Sequence, residues 1–150
     1  MAVRSLLKTG GSFQSGKNTV DEFILLSTRI EELGQAAGVV LIPFKNPDLP
    51  YFNKLEERKK QEVLFSMENF VHICEVTLAN GKQLSDTKAL TWHALKEMGM
   101  RFNSDIFSYI GDEDLLEVYT NDNIQIFRNF RFLELISYTL EDIFCRPWPE

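Results

Sequence analysis

The stretch GSFQSGK, from Gly11 to Lys17, matches the first part of the phosphate-binding pattern G-x-x-x-x-G-K-S/T. Such a loop works because its backbone N–H groups cradle phosphates, its Lys reaches the terminal ones and its hydroxyl holds Mg²⁺. Asn18 stands where that hydroxyl belongs. No buried apolar strand precedes the stretch, and no apolar strand ending in Asp follows it. The segment therefore reads as part of a Gly- and Ser-rich flexible tail over residues 1–17, and the nucleotide loop is rejected.

Two histidines, His72 and His93, are the next candidates for chemistry. An imidazole projecting into a cavity can ligate haem or another metal. A lone His on an apolar helix is more often a hydrogen-bonded structural residue, so haem through His72 or His93 is kept as a minor option and no other cofactor is named. His72 and Cys74 lie two residues apart, which does not converge on one helix face. No metal site is assigned. Asp112, Glu113 and Asp114 form an acidic run that reads as a solvated loop. Arg128 and Arg131 flank Asn129 beside aromatic residues and could read a small anion or a partner, against the plainer role of surface cations with packed stems. Lys54, Arg58, Lys59 and Lys60 could pair with the acidic loop or with a second subunit. No nucleophile elbow, Gly-rich cofactor fingerprint or zinc pattern appears. No catalytic residue is assigned, and the chain is not read as an enzyme.

Composition sets the frame for these residues. The chain has 150 residues, 44% of them apolar, with 12 Phe, enough to build a real core rather than a disordered chain. A net charge of −6 argues against a nucleic-acid partner, because phosphate contacts need a surplus of Lys and Arg. No apolar run approaches a membrane span, and MAVRSLLKTGG is too short in apolar residues for a signal peptide. A cytoplasmic protein with no membrane partner is expected.

The region 18–111 is expected to be helical. Asn18 caps a first helix whose Phe23, Leu26, Ile30, Leu33 and Ala37 form a short coiled-coil-like seam, facing either a partner chain or the protein's own core. VVLIPF, from Val39 to Phe44, reads as a buried strand or an extended connection. A long helix is predicted over Tyr51–Leu78, ended by Asn80-Gly81, with an apolar second half that is central to a core or to a dimer interface. Ser85 is expected to cap a further helix that Gly99 ends. A short helical turn follows over Asp105–Ile110, before the acidic loop.

The region 112–150 changes character. Leu116, Val118 and Tyr119 form one β-prone run, Ile124, Ile126 and Phe127 another, and TNDN between them supplies turn chemistry. Helical spacing resumes at Phe132, Leu133, Leu135 and Ile136, and Thr139 with Asp142 opens a capped helix, Leu140 to Phe144.

This order of two strands, Asn129, a helix with Phe132 and Leu133, then Tyr138, Leu140, Glu141 and Asp142, resembles the start of a PAS-type sensor domain. Ser137 and Cys145 replace glycines common in that pattern, Asn123 replaces a glycine at the tip, and the later pocket strands are missing. The resemblance covers residues 115–148 and implies the N-terminal part of a larger signalling protein, cut within its sensor. The competing reading is a complete helical domain whose hairpin joins a small sheet with VVLIPF.

The expected fold is therefore α+β, mainly helical with a small antiparallel β element near the C-terminus. The expected function is a regulatory sensor module, homodimeric or bound to another signalling protein, and the alternative is a helical protein–protein adaptor without a small ligand. Phe65, Phe70 and Ile73 are the candidates for association; Tyr119, Phe127, Asn129 and Tyr138 are the candidates for a ligand pocket.

Overall fold

The structure, a computed structural model, describes residues 18–42, 48–121 and 124–146. The tail over residues 1–17, the Pro43–Phe44 end of VVLIPF and the Asn123 tip lie outside the described residues. Three long helices come first: α1 over Thr19–Ala36, α2 over Glu57–Ala79 and α3 over Thr87–Glu97. A 3₁₀ helix over Ser104–Tyr109 leads to strands β1 (Glu117–Tyr119) and β2 (Gln125–Arg128), then to short helices α4 (Phe130–Leu135) and α5 (Leu140–Cys145). The fold is mainly helical with one two-stranded antiparallel sheet near the C-terminus.

Local chemistry explains the element ends. Asn18 accepts from the Val20 N–H at the start of α1, satisfying one donor that the first helical turn leaves unpaired. The start of α3 corrects the Ser85 expectation: Asp86 is the cap, accepting from Ala89 N at 3.0 Å, while Ser85 bonds Gln83. Gly81 and Gly99, both at positive φ, close α2 and α3 with the paired reverse bonds of a Schellman motif. The long helix begins at Glu57 rather than Tyr51. The preceding residues turn instead, because Leu49 and Phe52 are fully buried and the chain must bend to insert them.

The first-helix seam faces the protein's own core. Phe23, Ile30 and Leu33 are buried and α1 packs against α2, with the Phe23 ring 4.8 Å from that of Phe52. VVLIPF forms no strand among the described residues: Val39 and Leu41 are buried and Val40 projects outward, as in an extended connection. Its backbone joins no ladder, so the enlarged sheet of the competing reading is absent among the described residues.

α2 is the central element, packing on α1, α3 and α5. Its charged first turns stay in solvent, with Arg58 and Lys59 on Glu62 and Lys60 near Glu57. Arg58, Lys59 and Lys60 thus pair within their own helix rather than with the acidic loop. Its second half buries Val63, Leu64, Met67, Phe70, Val71, Ile73 and Cys74 in one continuous cluster that also takes in Phe127, Phe130, Leu133, Leu140 and Ile143.

The sheet is short and irregular. Glu117 pairs with Arg128, Val118 with Phe127 and Tyr119 with Gln125, which leaves Ile126 as an unpaired bulge residue. α5 opens with a full capping box: Asp142 N donates to Thr139 Oγ1 and Thr139 N donates to Asp142 Oδ2. Desolvation pushes the Asp142 carboxyl upward, but hydrogen bonds from Thr139 and Arg146 outweigh it and hold the group below its ordinary value. A folded-state value below the unfolded one stabilises the fold above the unfolded value and is lost as pH falls through the folded one. Asp142→Asn is therefore expected to lower stability at pH 7 and to flatten part of the acid limb below about pH 4. Urea titrations at a series of pH values measure both effects; an unchanged acid limb would show that Asp142 titrates normally.

Candidate functional site

A pocket lies where β2 and α5 meet α2. Its volume is about 160 Å³, and Ser66, Phe70, Gln125, Ile126, Phe127, Arg128, Ile143, Phe144 and Arg146 line it. That is smaller than the roughly 300–1,000 Å³ pockets that bury drug-sized molecules. The terminal segment supplies most of the wall, and α2 supplies the rest.

Arg128 is the unusual group. Side chains of consecutive strand residues point to opposite faces, yet Phe127 and Arg128 are both buried. Phe127 packs toward Phe70 on α2, with ring centroids 6.3 Å apart. Arg128 lies against α5: its Nη1 donates to the Ile143 carbonyl at 3.3 Å, and its guanidinium sits 4.9 Å from the centre of the Phe144 ring. Only 6% of Arg128 is exposed, and among the described residues no carboxylate lies within ion-pair distance of it. Burial pulls its guanidinium down to about 10, opposed by the more distant Glu117 carboxylate and by Tyr119. It is still a cation at neutral pH, and burying a cation with no close ion pair is costly.

The other predicted pocket residues are not all brought together. Phe127 lines the pocket. Asn129 does not; it is 1% exposed and its side chain is committed to the backbone. Its Oδ1 accepts from Leu116 N and Phe132 N, and its Nδ2 donates to the Asp114 carbonyl. It fastens the entry of β1 to the start of α4 and acts as that helix's cap. Tyr119 is largely exposed; its hydroxyl donates to Glu117 and accepts from Gln125 Nε2. Tyr138 is also largely exposed and lies off the pocket wall.

The association candidates divide in the same way. Phe70 and Ile73 are 4% and 1% exposed and belong to the core, so neither offers a surface to a partner in this fold. Phe70 meets the Phe130 ring edge-on at 5.3 Å. Phe65, at 57% exposed, is the one of the three on the surface.

Neither histidine lines the pocket. His72 is exposed and its Nε2 pairs with Glu97 at 2.9 Å, linking α2 to α3. His93 is buried, with Nδ1 at 2.8 Å from the Ala89 carbonyl and 3.3 Å from Thr77 Oγ1. Thr77 already donates to Ile73 O, so the tautomer with its proton on Nδ1 is the one that satisfies both neighbours. The acidic loop is likewise internally engaged: Asp114 accepts from Gly111 N, and Arg131 bridges Glu113 and Glu134. No cluster suited to a metal ion occurs among the described residues, and no helix there is long and apolar enough to cross a membrane. Burial raises both thiols, Cys145 to about 12 and Cys74 higher still, so neither is a nucleophile at neutral pH.

Glu141 is a role the sequence did not disclose. A carboxylate in a first helical turn commonly serves the helix dipole, but Glu141 is buried and accepts from Tyr51 N at 2.8 Å and Phe52 N at 3.0 Å. It thereby satisfies the turn that leads into α2.

The site is thus a small, half-apolar pocket with a buried cation, built at the joint between a helical layer and a terminal hairpin–helix unit. Comparison with known proteins found no matching family, no matching curated protein and no matching solved structure.

Proposed function

We propose that this chain is a regulatory sensor module in which a ligand in the β2–α5–α2 pocket changes how the terminal hairpin–helix unit packs on α2. The observation that carries this reading is the pocket's position: α2 contributes Ser66 and Phe70, and the terminal segment contributes the remaining wall. A molecule bound there touches both units at once, so it binds one relative packing better than another. Differential affinity of that kind is the physical requirement for a ligand to shift a conformational equilibrium. The order β1, β2, Asn129 cap, α4, α5 also supports a likeness to the opening of a PAS-type domain.

The test is protein-observed NMR with a set of small charged and neutral fragments. Binding should shift the amides of Phe127, Arg128, Ile143 and Phe144 together with Ser66, and should slow amide exchange in β2 and α5. Fragments that bind only elsewhere, or none that bind, would remove the sensor reading.

The exposed Phe65 on α2 favours the second reading, a protein-binding adaptor or homodimer. Its replacement by Ser should leave stability within about 0.5 kcal/mol, as for surface changes away from packed contacts. If Phe65 holds two copies together, light scattering will show the wild type as a dimer and the variant as a folded monomer. A monomeric wild type would remove Phe65 as a self-association residue.

A further inference from the structure

We infer that the pocket beside Arg128 binds a small monocarboxylate with a hydrocarbon body, the anion seated on the Arg128 guanidinium. This deepens the sensor reading and rests on it. A guanidinium carries several N–H donors in a planar fork matched to the two oxygens of a carboxylate. Arg128 engages the Ile143 carbonyl through Nη1, and its charge has no carboxylate partner among the described residues. Arg128 is among the residues that line the pocket, and the inference places its remaining donors toward the ligand. The second cation of the wall, Arg146, is already engaged by Asp142 at 3.1 Å and lies over the Tyr51 ring at 4.9 Å. Among the described residues, the site therefore offers one cation with no carboxylate at ion-pair distance.

The rest of the wall narrows the anion. Phe70, Phe127, Ile143 and Phe144 present apolar surface around the cation. A strongly hydrated inorganic phosphate would lose its water against those rings without compensation, whereas a short aliphatic or aromatic body gains from the same contact. The chain's net charge of −6 repels polyanions more than monoanions. A volume of about 160 Å³ suits a molecule of a few carbons or a single ring. Neutralising the buried cation only in the bound state also gives the ligand its hold on the packing of β2 against α5.

The test uses the intact chain and three probes, benzoate, isobutyrate and inorganic phosphate, at constant ionic strength. Benzoate or isobutyrate should saturate a single site, moving the Arg128 side-chain N–H signal in the wild-type NMR spectrum. Phosphate should not saturate. Arg128→Met, which keeps the stem without the charge, should weaken carboxylate binding at least tenfold while retaining the native spectrum, and Arg128→Lys should recover part of it. The wild-type Arg128 signal tests the contact even if the Met variant fails to fold. Carboxylates that leave that signal unmoved, or that bind Arg128→Met equally well, overturn the inference. So does saturable binding of phosphate in preference to carboxylates, which would make the site a free-phosphate site. Neutral fragments that shift the pocket amides while carboxylates do not would overturn the carboxylate but leave the sensor module standing; silence from every probe would remove both.

Discussion

Phe70→Ala is expected to destabilise the protein by about 3–5 kcal/mol, the usual range for emptying a well-packed aromatic site. The residue is 4% exposed and sits between two elements that come from distant parts of the chain. On one side it belongs to α2; on the other it meets the rings of Phe127 and Phe130 at 6.3 and 5.3 Å. Removing the ring loses its own burial and opens a cavity that the Phe127 and Phe130 rings cannot both close. Phe70→Glu goes further, because it loses the same ring contacts and adds the cost of taking a carboxylate out of water. Since a domain's whole stability is about 5–15 kcal/mol, Phe70→Glu should leave the chain unfolded rather than a folded monomer. Urea denaturation followed by circular dichroism measures the first variant, and the NMR spectrum of the second decides between the outcomes. A folded, well-dispersed Phe70→Glu protein would mean that this ring faces outward and that the packing of the hairpin on α2 is wrong.

Asn129→Ala is expected to cost about 2–4 kcal/mol, the sum of a lost helix cap and buried backbone groups left without partners. The side chain serves three backbone groups at once: Leu116 N, Phe132 N and the Asp114 carbonyl. The main chain of the same residue adds a fourth link, Asn129 N to Leu116 O at 3.1 Å. Asn129→Asp separates these contributions. It keeps the acceptor for the two N–H groups but sets a charged oxygen against the Asp114 carbonyl, so it should fall between the wild type and Ala. Denaturant midpoints give the order. If Ala proves no worse than about 0.5 kcal/mol, the corner is held by the backbone alone and Asn129 is free for another role. Because Asn129 is off the pocket wall, carboxylate binding to the surviving folded fraction of Asn129→Asp should match the wild type, in contrast to Arg128→Met.

The contrast between these residues shows what could be read from the chain. Asn18, Gly81, Gly99 and the Thr139–Asp142 pair announce helix ends through hydrogen bonds to residues two to five positions away. The hairpin and the short helices after it follow from the same nearby chemistry. Those features depend on residue type and short spacing, which sequence displays directly. Even so, the long helix starts at Glu57 and not at Tyr51, because Phe52 is drawn into the core by elements outside its own stretch.

What the chain could not display is which side of an apolar element meets which other element. Phe65 and Phe70 are one residue type on one helix, and only the arrival of the hairpin against α2 makes one a surface ring and the other a core ring. Glu141 stands in the first turn of α5, yet it is Tyr51 N, 90 residues earlier, that donates to its carboxylate. Arg128 looked like a surface cation until α5 folded back over it. The sequence by itself determined where most helices lie, the Asn18 and Thr139 caps and the β1–β2 hairpin, because those are settled by bonds between near neighbours. The pocket, its buried charge and the division between core and surface were decided by tertiary structure, because burial is a property of contacts between segments far apart in the chain.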